Sequence, residues 1–272
     1  MAEAKKEVVE AKSTAVALAS MYEEDANGGF EQADKDAYAI PFLSILQSGS
    51  PQVKKSDGAF IPGAEEGSLY NSVTQAVTNG DVGLEVIPCY YQRRFIRWGA
   101  RDAGGGFKGE YAPNDPIINE AKNIDGRLMF ADTAGAFNEK TSDILMDTRN
   151  HYVLILQPDG SFTTALISLS SSQVKKSRQW MSKMEGLKLK RGDGTVFTPP
   201  MFSHKYKLTT VPESNDQGSW YGWKVETGSA IEDAGLYQAG KAFRDAICAG
   251  EVKVQQPVAP SFATDSDEEP NF

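Results

Sequence analysis

The chain is poor in the residues that most enzymes and metal sites need. It has two histidines and two cysteines in 272 residues. Cys89 and Cys248 are far apart and match no metal or redox spacing, so both read as buried structural thiols in a reducing compartment. His151 and His204 lack a Cys or His partner at ligand spacing and read as packing or surface residues. No run of about 20 apolar residues exists, which excludes a membrane-spanning helix. Met1-Ala-Glu-Ala-Lys-Lys-Glu7 lacks the apolar core of a secretion signal, so a cytoplasmic location is expected. Gly104-Gly-Gly106 lacks the Gly-Lys-Ser/Thr that completes a phosphate loop. Asp143, Asp147 and Asp159 are carboxylates that a divalent ion could use, but Asp is common near turns. A metal-dependent enzyme therefore ranks last among the readings. No catalytic residue, metal or cofactor is expected.

What is present is an uneven charge distribution. The net charge is −9. Residues 1–37 hold nine acids against four bases, and the last eight residues add four acids. These two ends account for the whole surplus, so residues 38–264 sum to zero. Within that body, residues 173–207 hold nine Lys and Arg against two acids, and residues 92–111 hold five against two. Acidic ends on a body with basic stripes make a polarised molecule.

The organisation follows from punctuation and periodicity. Residues 1–37 form an acidic leader in which Lys5–Tyr22 has helical composition, broken by Asn27-Gly28-Gly29. The body, residues 38–250, opens with the apolar strand-like run Ala39–Gln47, followed by a Gly/Pro-rich loop to Gly67. Gly83–Trp98 is rich in β-branched and aromatic residues and predicts a strand, with Pro88 marking an edge or a bulge. Residues 113–142 carry no usable pattern. Tyr152–Leu156, the turn Pro158-Asp-Gly160 and Phe162–Leu169 predict a hairpin. Ser170–Glu185 predicts a helix capped by serines, with Val174, Trp180, Met181 and Met184 on its packed face. Met201–Thr210 and Ser219–Glu226 predict a strand pair around the loop 212–218. Ala230–Ala249 predicts an amphipathic helix stopped by Gly250. Residues 251–272 read as a linker and an acidic tail. The expected class is mainly β with accessory helices (α+β). A helix between later strands is compatible with an OB-like β-barrel core.

Two basic and aromatic stretches are candidate nucleic-acid-binding surfaces. On a strand, Tyr91, Arg93, Phe95 and Arg97 point one way, and Tyr90, Arg94, Ile96 and Trp98 the other. Either face then offers rings for bases and cations for phosphates. The competing reading is that Phe95, Ile96 and Trp98 fill a core and the arginines cover it. The second surface comprises Lys175, Lys176, Arg178, Lys188, Lys190, Arg191, Lys205, Tyr206, Lys207, Trp220, Tyr221 and Trp223. Its competing reading is a solvated helix face with tryptophans in the core.

The tail Asp265-Ser-Asp-Glu-Glu-Pro-Asn-Phe272 is a charged collar around one hydrophobic anchor. Asp265, Asp267, Glu268, Glu269, Pro270 and Phe272 are its candidate partner-binding residues. It resembles the C-terminal tip of single-stranded-DNA-binding proteins of bacteria and their phages, although Asn271 separates Pro270 from Phe272. Residues 40–51, the strand ending at Trp98 and Trp220-Tyr-Gly-Trp223 look like a group of phage replication proteins of the same kind. That resemblance implies an OB-type barrel and sequence-independent binding of single-stranded DNA in the host cytoplasm. It also implies recruitment of replication or recombination enzymes by the tail. A strand-annealing recombination protein and a virion or scaffold protein that binds no nucleic acid remain as alternatives. A homo-oligomer is compatible with each.

Overall fold

The computed structural model describes residues 18, 20–26, 28–33, 39–100, 102, 104–216, 218–252 and 254. The chain divides into two compact units, Met1–Tyr38 and Ala39–Phe272. In the first, residues 20–24 are helical; most of the helix expected over Lys5–Tyr22 lies outside the described residues.

The second unit is built on long antiparallel strands. β1 (Leu43–Ile45), β2 (Leu69–Asn71) and β3 (Val77–Thr78) form a small sheet. The main sheet contains β4 (Leu84–Trp98), β5 (Phe107–Tyr111), β6 (Lys122–Ile124), β7 (Arg127–Met129), β8 (Ile144–Leu156) and β9 (Phe162–Ser170). Helix α1 (Val174–Gly186) follows, then the two-residue strands β10 (Leu189–Lys190) and β11 (Val196–Phe197). β12 (His204–Asn215) and β13 (Gly218–Ala230) return to the main sheet, and α2 (Ala234–Cys248) ends the fold. The sheet order is β13-β12-β4-β8-β7-β6, with β5 also paired to β4 and β9 to β8.

β8 shows how the sheet is covered. His151 and Tyr152 are neighbours and so point to opposite faces. His151 stacks on Trp180 of α1 at 4.6 Å, whereas Tyr152 meets Phe243 of α2 edge-on at 6.3 Å. One helix therefore lies on each face. The α1 side buries Val153, Ile167, Leu169, Leu208 and Trp223. The α2 side buries Ile87, Cys89 and Leu154 in one cluster and Tyr152 and Leu166 in another. At about 25 cal/mol per Å² of apolar surface, burying each such side chain is worth about 1.5–3 kcal/mol. α2 approaches closely because a Cβ on Gly240 would sit 2.9 Å from the Phe202 Cβ.

The expected barrel is not closed. Among the described residues no ladder joins β9 to β13. The main-chain link to β9 on that side is short: an isolated parallel bridge pairs Phe42 with Leu166, and the Leu166 amide donates to the Pro41 carbonyl at 2.8 Å. The outer margin of β13 is covered by side chains instead of a strand. The Gln47 amide group clamps Tyr221, donating to its carbonyl at 2.9 Å and accepting from its N–H at 2.8 Å. The Gln173 carbonyl oxygen accepts from the Trp223 N–H at 3.1 Å. The Lys183 ammonium donates to the Val225 carbonyl. Covering an exposed strand margin this way blocks pairing with another chain.

Several local expectations are revised. The strand expected over residues 39–47 is regular only at Leu43–Ile45. β12 and β13 pair through Asn215 and Gly218, with Pro212 opposite Tyr221, so most of the loop expected over 212–218 is strand. Pro88 does sit at a register shift in β4, between Pro88 and Tyr90. No serine caps α1: Gln173 is its N-cap and makes no side-chain cap bond, while Ser171 takes φ +50° in the short 3-10 turn before it. Cys89 is buried but Cys248 is exposed. The unpatterned residues 113–142 form a 3-10 turn at Pro116–Asn119 and the β6–β7 hairpin. Phe130 from this stretch packs on Phe95 and Leu145. The hairpin expected around Pro158-Asp-Gly160 forms as β8–β9, paired from Thr148↔Ser170 to Leu156↔Phe162.

Candidate nucleic-acid interface

Alternation along β4 and β8 builds the site on the α1 side of the sheet. Tyr91 faces the His151 ring at 5.2 Å, which fixes the face of Arg93, Phe95 and Arg97. Arg93 grips Asp147 with two parallel bonds of 3.0 and 2.9 Å. Arg149 also donates to Asp147 at 2.8 Å, and through its other terminal nitrogen to the Tyr91 hydroxyl at 2.8 Å. A second carboxylate, Asp143, accepts from Arg97 at 2.8 Å, Lys108 at 2.7 Å and the Ala100 N–H at 3.0 Å. The Arg97 guanidinium also lies 3.9 Å from the Phe130 ring centre.

In each cluster two cations share one carboxylate, so one positive charge stays uncompensated. Burial works to raise the Asp147 carboxyl, but the bonds from Arg93 and Arg149 outweigh it and hold the group below the usual carboxylate range. Asp143 behaves alike: burial raises it, and Lys108, Arg97 and the Ala100 amide bring it down further. Both are therefore anions at neutral pH, and each holds its two cations in place. Such fixed guanidinium forks suit phosphate recognition better than mobile ammonium groups do.

A pocket opens beside these clusters because β8 changes partner. β7 pairs with β8 only at Ile144 and Leu145, and β9 begins pairing at Thr148. Between them Met146 and Asp147 pair with β4 on one side and with no described strand on the other. The resulting pocket of about 340 Å³ has walls from Leu128, Leu145, Met146 and Val174. Asp147, Ser171 and the Arg127–Glu139 ion pair give it polar groups. Val174 is the first residue of α1, whose first turn contains no acid.

The structure does not gather the eighteen predicted nucleic-acid-binding residues into one cleft. Tyr91, Arg93 and Arg97 join the clusters just described. Arg94 points to the opposite face and pairs with Glu110 at 2.9 Å. Phe95, Trp98, Tyr206 and Trp223 are buried in the core and offer no stacking surface. Lys175 and Arg178 are exposed on α1. Lys176 pairs with Glu213, which also accepts from the Trp220 indole at 3.1 Å. Tyr221 is half-buried, with its ring against Gly67, whose φ is +81° and where a Cβ would come within 2.6 Å of it. Lys188, Lys190 and Arg191 are exposed around β10 and β11, with Arg191 lying 4.7 Å from the Phe197 ring centre and Lys188 bonded to Thr198 at 2.7 Å. Lys205 lines a separate hollow beside Ile231, and Lys207 lies directly across from Glu226. The tail residues Asp265, Asp267, Glu268, Glu269, Pro270 and Phe272 lie outside the described residues.

Lys176 does share a second hollow, with Lys183 and Lys224, between α1 and β13. The tryptophans Trp180 and Trp223 also line it but are almost wholly buried. The remaining ionisable candidates have structural partners. Asp143 and Asp147 hold cations, and Asp159 accepts from Ser161 within its turn. Among the described residues, no group of three or more His, Cys, Asp or Glu could hold a metal ion. No helix there is long and apolar enough to cross a membrane.

Sequence reading missed Arg149 and Lys108 as members of the clusters and treated Asp143 and Asp147 only as candidate metal ligands. The signal was the strand register. Arg93 lies opposite Arg149, and Phe95 opposite Asp147; one strand read alone does not contain that pairing.

Residues 9–253 match the family described as Pam3 phage gp34-like protein. The chain belongs to this family. That membership places it among phage proteins, and the match spans both clusters and the pocket between β7 and β9. No curated protein and no solved structure matches the chain.

Proposed function

We propose that this phage protein binds single-stranded DNA without sequence preference, using the α1 side of β4 and β8, and that its acidic tail recruits replication or recombination enzymes. The observation that carries the reading is the two-to-one sharing of Asp143 and Asp147 by four cations. It leaves positive charge fixed on a sheet face of a protein whose net charge is −9. The half-buried Tyr91 at the same place supplies a ring edge. An open sheet serves this purpose as well as a closed barrel, because the phosphates meet one face only. The exposed Lys175 and Arg178 extend the field beyond it. The reading assigns no catalytic residue.

Gel-shift titrations with single- and double-stranded oligonucleotides over a range of salt test it. Preference for the single strand is expected, with log K falling by about 0.7 per phosphate contact for each decade of salt. A flat salt response, or no binding, overturns it. Removing residues 265–272 is expected to tighten DNA binding at low salt, because the tail's carboxylates compete with phosphates for the same cations.

One observation favours a second reading. Phe95, Trp98, Tyr206 and Trp223 are all core residues, as they would be in a virion or scaffold protein that binds no nucleic acid. The same titration separates the two.

A further inference from the structure

We propose that the pocket between β7 and β9 takes one unstacked nucleobase of a bound single strand. The inference rests on the nucleic-acid reading above and adds to it a specific place for a base.

Three features lead there. The first is size. A pocket of about 340 Å³ lies at the low end of small-ligand sites, which run from about 300 to 1,000 Å³. It suits one flat ring system and not a whole nucleotide chain. The second is the lining. Leu128, Leu145, Met146 and Val174 form apolar walls against which a ring face can lie, while Asp147 and the Arg127–Glu139 pair put both acceptors and donors at the pocket. A base edge carries both donors and acceptors, so it can bond to each kind.

The third feature is position. Leu145, a wall residue, sits in sequence midway between Asp143 and Asp147. In extended chain those carboxylates are about 13 Å apart, at about 3.3 Å per residue. Each holds two cations. A strand laid along β8 would thus meet fixed positive charge on both sides of the pocket, with a base entering between two phosphate contacts. An acidic peptide with an aromatic anchor would also meet these cations, so it is the competing occupant that the test must separate from a base.

The test uses the full chain and two oligonucleotides of equal length, one carrying bases and one wholly abasic. Wild type is expected to bind the base-bearing strand about tenfold more tightly. Val174→Trp, which fills the pocket from the start of α1, is expected to abolish that difference and leave abasic binding unchanged. In the wild-type chain the Met146 methyl resonance is expected to shift with the base-bearing strand and not with the abasic one, a measurement that needs no variant to fold. Equal wild-type affinity for both strands removes the base pocket while leaving phosphate binding intact. Binding of neither strand removes the nucleic-acid reading itself and the pocket's role with it. A Met146 shift produced by an acidic Phe-terminated peptide and not by the base-bearing strand overturns the proposal in favour of a peptide site.

Discussion

The β4–β8 face and the run from residue 173 to 207 are both basic, yet they hold charge in different ways. On β4 and β8, Arg93, Arg97 and Arg149 are at least partly buried, bonded to carboxylates and fixed in direction. In the second region, Lys175, Arg178, Lys190 and Lys207 stand exposed on a helix and strands. The second region has the larger surplus in sequence. The first has the geometry. Charge density sets long-range attraction, whereas a cation locked against a carboxylate presents its remaining donors in one orientation.

The contrast can be broken first by stability. Asp147→Ala leaves Arg93 and Arg149 side by side with no anion. Because Arg149 is only 11% exposed, the expected loss is about 2–4 kcal/mol, toward the range for breaking buried pairs. Urea unfolding measures it. Lys190→Ala, at an exposed position, should change stability by less than about 0.5 kcal/mol. Equal effects at the two sites would erase the distinction.

Acid provides the next test. His151 is wholly buried, and burial first, then the nearby Arg149 charge, pushes it down to about 3. Its unfolded value is near 6.5. The unfolded chain thus takes up a proton that the folded chain refuses, and stability falls as pH drops from about 6.5 toward 3, by at most about 1.4 kcal/mol per unit. Asp143 and Asp147 also have lowered values. Their contribution is full above the ordinary Asp range and is lost as pH falls through their folded values. His151→Gln should flatten the upper part of this decline, between about pH 6.5 and 4.5, in pH-dependent thermal melts. An unchanged slope would mean that His151 does not carry it.

Binding gives a smaller contrast. Arg93→Ala is expected to weaken single-strand affinity about fivefold to tenfold at low salt. Lys188→Ala should weaken it less than about twofold and mainly reduce the salt slope. The smallest expected effect is at Tyr206, whose hydroxyl is buried with no protein partner. Tyr206→Phe should be neutral or slightly stabilising and leave DNA affinity unchanged, which anisotropy titration can check.

These same residues show what a single sequence can reveal. The β8–β9 hairpin and α2 were readable because turn residues and periodicity lie within short windows. The alternation of Tyr91, Arg93, Phe95 and Arg97 was readable for the same reason. Their partners were not. Asp147 and Arg149 come from β8, some fifty residues away, and Asp143 immediately precedes it; only register puts Arg93 against Arg149. For Trp223 the sequence left core and surface both open, and burial of Tyr206 was hidden, because a ring on a strand looks the same from sequence whether a helix covers it or not. The pocket arises from β8 exchanging β7 for β9, and residues 113–142, which supply β7, had no pattern to read.

The three side chains that cover β13 have a further consequence. A hydrogen-bonded ladder fails only when a whole segment leaves, but Gln47, Gln173 and Lys183 can each be lost by changing one codon. Tolerance to substitution at these positions should therefore be lower than their ordinary polar character suggests. Libraries screened for freedom from clumping should retain them while neighbouring surface positions drift.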